Sequence, residues 1–121
     1  MKIVFISGPL TTGWDWKNKE FIRERVKEAR KYQLALFSSG VACFCAHVAN
    51  SNEDEVAPEN FYLNMDLEFL KRCDAVLAMP GWDKSHGATK EVEIAKELGL
   101  PIFHPRSPED IKKIIEWNRE I

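Results

Sequence analysis

With 121 residues, 45% of them apolar and 30% charged, the chain has the length of one ordinary domain and the composition of a globular one. A formal charge of −2, with both signs interspersed, offers no basic surface for a nucleic-acid backbone. No apolar run reaches the ~20 residues that cross a bilayer, and the opening MKIVFISGP is too short for a signal-peptide core and reads as a strand entering a turn.

The elements alternate. KIVFIS predicts a buried first strand stopped by Gly8-Pro9. A helix is expected from about 17 to 39, with Ile22, Val26, Ala29 and Leu36 inward and Gly40 capping its end. Its basic stretch FIRERVKEARKY is broken by Glu24 and Glu28, the pattern of a solvated face. VACFCAHVA predicts a second strand, followed by the polar loop NSNEDEVAPEN. Pro58 suits the opening of a second helix, about 59 to 72. DAVLAM predicts a third strand, halted by Pro80-Gly81, and a third helix follows from about 88 to 98. PIFH predicts a fourth strand. SPEDIKKIIEWNRE predicts a last helix with Ser107 as N-cap and Pro108 in its first turn.

Strands alternating with helices imply an α/β fold: one domain over 1–121, with a parallel sheet of four to five strands between two helical layers, in the Rossmann- or flavodoxin-like class. Such sheets bind ligands beyond the carboxyl ends of their strands. Cys43, Cys45 and Cys73 lack metal-ligand spacing and read as buried thiols of a cytoplasmic protein.

Two acids fall on the wrong faces. Glu91 lies three, four and seven residues before Ile94, Ala95 and Leu98, which puts it in the first turn at the head of the third helix's apolar stripe. On the second helix Asn60, Asn64, Glu68 and Lys71 trace one polar line. Asp66 lies about 200° from Asn64 at the usual helical twist, among Leu63, Leu67 and Leu70. Burying an ion costs several kcal/mol unless it is paired or hydrogen-bonded. An inward acid could simply bond backbone amides or a lysine. Two of them beside a turn-rich loop favour a site, and paired carboxylates flanking a bond are what glycosidic cleavage needs.

The loop before the third helix offers Ser85, His86 and Gly87 to an anion at a positive helix end. The first loop, SGPLTTG, offers Ser7, Gly8, Thr11 and Thr12 in the same way. In both loops the small residues could equally serve only to make turns.

The order of VFISGPL, AHVAN, DLEFLKRCDAVLAMP and SHGATKEVEIAKELG resembles the nucleoside 2-deoxyribosyltransferase superfamily, which includes the 2'-deoxynucleoside 5'-phosphate N-hydrolases. The resemblance covers most of the chain. It implies that Glu91 is the nucleophile and that Asp66 contacts the deoxyribose and assists proton transfer. It implies further that Ser85 holds the 5'-phosphate, as serine does in the hydrolases, and that His47 lies near base and sugar. Phe5 stands where many members have a tyrosine that helps set the nucleophile, so that hydroxyl is absent or supplied elsewhere. Leu10 and Thr11 replace an arginine carried by some hydrolases.

The implied mechanism is attack of Glu91 on C1' to give a glycosyl ester, cleaved by water or captured by a second base. Asp66 would donate to the departing base or hold the sugar hydroxyl. Burial opposes ionisation of Glu91, while the helix end and hydrogen-bond donors favour it; both possibilities stay open in the sequence.

Trp14, Trp16 and Trp82 could stack on a base, plug loops or line a subunit contact. His86 reads as a solvent-facing loop residue, and His104 as the end of the fourth strand. Tyr62 could orient Asp66 or pack. The resemblance also implies a homodimer or larger homo-oligomer, a small nucleoside or nucleotide as substrate, and no cofactor or metal. The competing readings are a deoxyribosyltransferase on free nucleosides, a non-catalytic nucleotide-binding module, and, ranked lower, a phosphoribohydrolase of the cytokinin-releasing kind.

Overall fold

The apolar run behind Lys2 forms β1 (Ile3–Ser7), whose last four residues are fully buried. In the computed structural model, which describes residues 1–9, 19–49 and 56–120, α1 (Lys19–Ser38), β2 (Ala42–Cys45) and α2 (Ala46–Ala49) come next. They are followed by α3 (Glu59–Lys71), β3 (Ala75–Ala78), α4 (His86–Glu97), β4 (Ile102–Phe103) and α5 (Lys112–Arg119). The four strands form one parallel sheet in the order β2-β1-β3-β4. Parallel neighbours need crossover connections, and the helices both make these and cover the two faces. The result is a three-layer α/β sandwich of flavodoxin-like order.

Side chains alternate across each strand, so successive residues of β1 feed opposite layers. Val4 and Ile6 pack with Ala29, Tyr32 and Leu36 of α1 and Ile114 of α5. Phe5 packs with Leu70 of α3 and Ala95 of α4. Ser7 follows Phe5 by two and therefore faces α3 and α4. Along α1, Ile22, Ala29 and Leu36 are buried and Val26 is half-buried, the stripe expected from spacing. Gly40, at φ 74°, closes the end of α1 in the left-handed region, with its N–H donating to the Phe37 carbonyl at 3.0 Å.

Three expected boundaries differ. The second strand stops at Cys45, because the register with β1 ends at the Ile6–Cys45 pair. Alanine-rich Ala46–Ala49 then coils into one helical turn against α1 and β1 instead of continuing the strand. The last helix begins at Lys112, not at Pro108 behind a Ser107 cap. Residues 106–110 form a turn instead: the Asp110 N–H donates to the Ser107 carbonyl at 3.0 Å, and the Arg106 N–H donates to Asp110 Oδ2 at 2.9 Å. The Asp110 side chain thus closes a local turn back onto Arg106, the alternative to helix that an aspartate offers the backbone. The third predicted helix starts earlier than expected, at His86, with Ser85 as its N-cap.

Candidate functional site

The order β2-β1-β3-β4 makes the chain reverse direction between β1 and β3, so a crevice opens past their carboxyl ends. Ser7 ends β1 there. Its carbonyl accepts from the Met79 N–H at 2.8 Å, and Ser7 pairs in register with Ala78. A side chain at Gly8 would put Cβ 2.4 Å from Met79 Cε and 2.9 Å from Met79 Cβ, so only glycine lets the two strand ends lie this close. Ser7 is 0% exposed, and its Oγ donates to Glu91 Oε1 at 2.6 Å.

Glu91 reaches this point from α4. Its helix begins at His86, so Glu91 occupies the second turn, not the first, and no acid stands in the first turn. The inner stripe is Ala88, Glu91, Val92 and Ala95. Leu98, expected in that stripe, is 48% exposed, because the helix ends at Glu97 and the chain turns away toward β4. Glu91 is 6% exposed. Burial pushes its carboxyl up to about 8; the Ser7 hydrogen bond pulls the other way, and the Asp66 charge adds to the rise.

Asp66 is half-buried on α3, whose polar line of Asn60, Asn64, Glu68 and Lys71 is exposed. Leu70 of its own face is fully buried, with Leu63 and Leu67 half-buried beside it. Its charge acts on Glu91 across the contact between α3 and α4. Gly87 faces α3 across the same contact: a Cβ there would meet Leu63 Cδ1 at 3.9 Å, an ordinary contact.

His47, on the turn after β2, is 5% exposed and bonded to the backbone at Pro9 and Gly8. Burial pushes its imidazole down to about 4; those two bonds oppose the shift, and the Arg25 charge reinforces it. It is therefore neutral at ordinary pH. Its Nε2 is buried with no hydrogen-bond partner among the described residues.

The remaining candidates fall as follows. Ser85 is 4% exposed and caps α4, its Oγ accepting from the Ala88 N–H at 3.4 Å. Phe5 is fully buried and stacked on Phe44, with ring centroids 5.9 Å apart, one residue pair below the crevice. Trp82 lies in the 3-10 turn Trp82–Lys84, which Gly81 enters at φ 89°, and its indole tilts against His104 at 5.8 Å. Tyr62 is buried and edge-on to Phe61. His86 and His104 are exposed. Leu10, Thr11, Thr12, Trp14 and Trp16 lie outside the described residues. Burial pushes the Cys43 thiol up to about 12 and the Cys73 thiol to about 11, so neither is poised as a nucleophile.

The structure thus brings Ser7, Gly8, His47, Asp66, Gly87 and Glu91 to one end of the sheet. The pairing that sequence reading missed is Ser7 with Glu91. Strand parity puts Ser7 on the side of Phe5, but that α4 covers this side follows only from the sheet order.

A family model described as "Domain of unknown function (DUF4406)" matches residues 2–104, from β1 through β4. No curated protein matches. Among solved structures, the 2-desoxiribosyltransferase from Leishmania mexicana aligns with a TM-score of 0.57 at 15% identity, over 87% of this chain and 64% of that one. The chain therefore spans less than two thirds of that neighbour, and the likeness is one of fold.

Proposed function

The chain belongs to the family described as a domain of unknown function, DUF4406, and we propose that it cleaves the N-glycosidic bond of a 2'-deoxynucleoside 5'-monophosphate. One observation carries this reading: a buried glutamate, hydrogen-bonded by Ser7 at 2.6 Å, lies within electrostatic reach of a second inward acid at the sheet's ligand-binding edge. Neither acid serves the apolar layer around it. Both suit a bond held between them.

In the proposed reaction a Glu91 carboxylate oxygen bonds to C1' as the C1'–N bond breaks. The bonding pair leaves with the base, which takes a proton, and Asp66 is the group able to supply it or to hold the sugar hydroxyl meanwhile. Water then attacks C1', the ester C–O bond breaks, and the Glu91 carboxylate returns with release of a proton. In this reading the pentose lies beside Gly87, which presents no side chain toward Leu63, and the neutral His47 beside the Gly8-Pro9 turn offers an uncharged contact to sugar or base. Phosphate recognition rests on the start of α4, where Ser85 keeps its hydroxyl proton as a donor while accepting from Ala88.

A second reading, deoxyribose transfer between bases, draws on that same serine. A hydroxyl 4% exposed and engaged as a helix cap suits an uncharged 5'-hydroxyl nearby at least as well as a phosphate. The structural neighbour's name, a 2-desoxiribosyltransferase, points the same way. Action on a small molecule as a homo-oligomer in the cytoplasm belongs to both readings, and the three free cysteines suit a reducing compartment. Among the described residues no helix is long and apolar enough to cross a membrane.

The test is chromatography of free base after incubation with a panel of nucleosides and monophosphates, with and without an acceptor base. Base release from monophosphates without acceptor supports hydrolysis. Release only with acceptor supports transfer, and binding without release from any compound overturns both. Sedimentation of the same sample reads the oligomeric state.

A further inference from the structure

We propose that Ser7 is the positioning residue for Glu91, its fixed hydroxyl holding the carboxylate in one orientation and hydrogen-bonding its charged form, rather than a contact to substrate. The inference deepens the glycosidase reading and rests on it for the identity of the reaction.

Four features fix the hydroxyl. Ser7 is locked into β1 by its register with Ala78 and by the Met79 N–H on its carbonyl. Gly8 seats directly on Met79, with no room for a Cβ. The buried His47 stands against the backbone of Gly8 and Pro9. Ser7 itself is 0% exposed, so its hydroxyl must find a protein partner, and Glu91 Oε1 is that partner at 2.6 Å. A hydroxyl held this way is a donor set in place before any ligand arrives, and bonds from a neutral O–H to a carboxylate are short and strong.

The need for such a donor follows from the surroundings. Glu91 sits in an apolar layer with Phe5, Leu70, Val76 and Ala95 near the sheet, and burial disfavours its charge. Asp66, from α3, disfavours it further. From β2 the Cys45 thiol feels the Glu91 charge but brings none of its own while protonated, and burial raises it. On the same side of β1, Phe5 has no hydroxyl to offer. Among these neighbours, Ser7 alone acts to keep Glu91 ionisable. A group bound so closely to the nucleophile has its lone donor hydrogen spent there, and a role in gripping substrate is correspondingly reduced.

The experiment compares wild type, Ser7→Ala and Ser7→Thr by two readouts. One is the titration of the Glu91 side-chain carboxyl, followed by carbon NMR of glutamate-labelled protein and assigned by its loss in Glu91→Gln. The other is the pH dependence of kcat and KM for base release. In Ser7→Ala the Glu91 midpoint should rise by about one pH unit, lowering the ionised fraction roughly tenfold below it. Turnover should fall by about that factor near neutrality and recover toward the wild-type plateau above the new midpoint, with KM kept within about twofold. Ser7→Thr, which restores a hydroxyl, should return both readouts toward wild type.

An unchanged Glu91 midpoint in Ser7→Ala overturns the proposal. A rise in KM at unchanged kcat also overturns it, by making Ser7 a substrate contact. A loss that is equal at every pH assigns Ser7 to structure alone. Should the wild-type protein release no base, the glycosidase reading fails separately, while the NMR midpoint still decides what Ser7 does to Glu91.

Discussion

The two faces of the sheet are built from similar residues and end differently. On the side of α1 and α5, the buried layer of Val4, Ile6, Ala29, Leu36, Leu77 and Ile114 is apolar up to the strand ends. On the side of α3 and α4, the layer of Phe5, Leu70, Val76 and Ala95 gives way at the carboxyl edge to Ser7 and Glu91. Hydrophobic packing accounts for the core of the first face, beside which α1 buries Gln33 and α2 buries His47. On the second, a carboxyl placed where its ionisation is penalised works against stability, and such placements accompany function more often than folding. Both faces therefore hold the molecule together, and the second also carries a carboxyl whose ionisation costs stability.

The sharpest way to break that contrast is Glu91→Gln. Base release should fall on the order of 10³-fold or more, since an amide cannot form the ester. Stability should move in the opposite direction, and with pH. The Glu91 carboxyl is raised from 4.5 to about 8 in the folded chain, so the folded state binds its proton more tightly than the unfolded one. Its contribution is fully present below the lower value and is lost as pH rises through the upper. Denaturant titrations from pH 5 to 9 should show wild type losing stability over that window, with the variant flatter and about 1–3 kcal/mol more stable at the alkaline end. His47 contributes with the other sign: its imidazole is lowered from 6.5 to about 4, so its contribution is present above 6.5 and lost as pH falls through 4. A wild-type slope that survives Glu91→Gln would detach the alkaline loss from this residue.

A deletion on the other face should separate the two roles. Leu77 is 0% exposed in the layer against α1 and α5, and Leu77→Ala should destabilise by about 2–5 kcal/mol through lost burial and the cavity left behind. Its effect should be nearly the same at pH 5 and pH 9, because no titrating group takes part. A pH-dependent loss would show that the two faces are coupled. Ser85→Ala is a smaller perturbation at the border of the site. Removal of the cap on α4 should cost about 1 kcal/mol by thermal unfolding. A weaker grip on monophosphates than on nucleosides would add a ligand role to the structural one.

The face of α1 and α5 was the more legible in sequence. Strand runs such as IVFIS and AVLA, and the spacing of Ile22, Ala29 and Leu36, follow from burial alone, so periodicity finds them. Besides the second strand, which ended with its register, boundaries failed where side chains took over backbone bonds. Ser85 capped α4 earlier than apolar spacing suggested, and Asp110 diverted the segment expected to open the last helix. On the other face, the inward placement of Glu91 and Asp66 could be read from helical period, because an acid on an apolar stripe is an exception to a regular pattern. The partnership of Ser7 with Glu91 could not, since it joins residues 84 apart in sequence and depends on which strands are neighbours. The register of β1 with β3 brings that hydroxyl to α4, and local sequence carries no record of a register.

The finest test of the second face is a methyl group. A Cβ at Gly87 would meet only Leu63 Cδ1, at 3.9 Å, and the position lies inside α4, where alanine is the better helix former. Gly87→Ala should therefore fold at least as well as wild type, with stability unchanged or raised by up to about 1 kcal/mol. The protein by itself gives no reason for glycine there. If the pentose binds beside Gly87, the added methyl stands in the ligand's space, and KM should rise several-fold while the pH profile set by Glu91 stays in place. If KM and turnover are both untouched, the surroundings of Gly87 are no part of the site, and the sugar must approach Glu91 from the side of the Gly8-Pro9 turn.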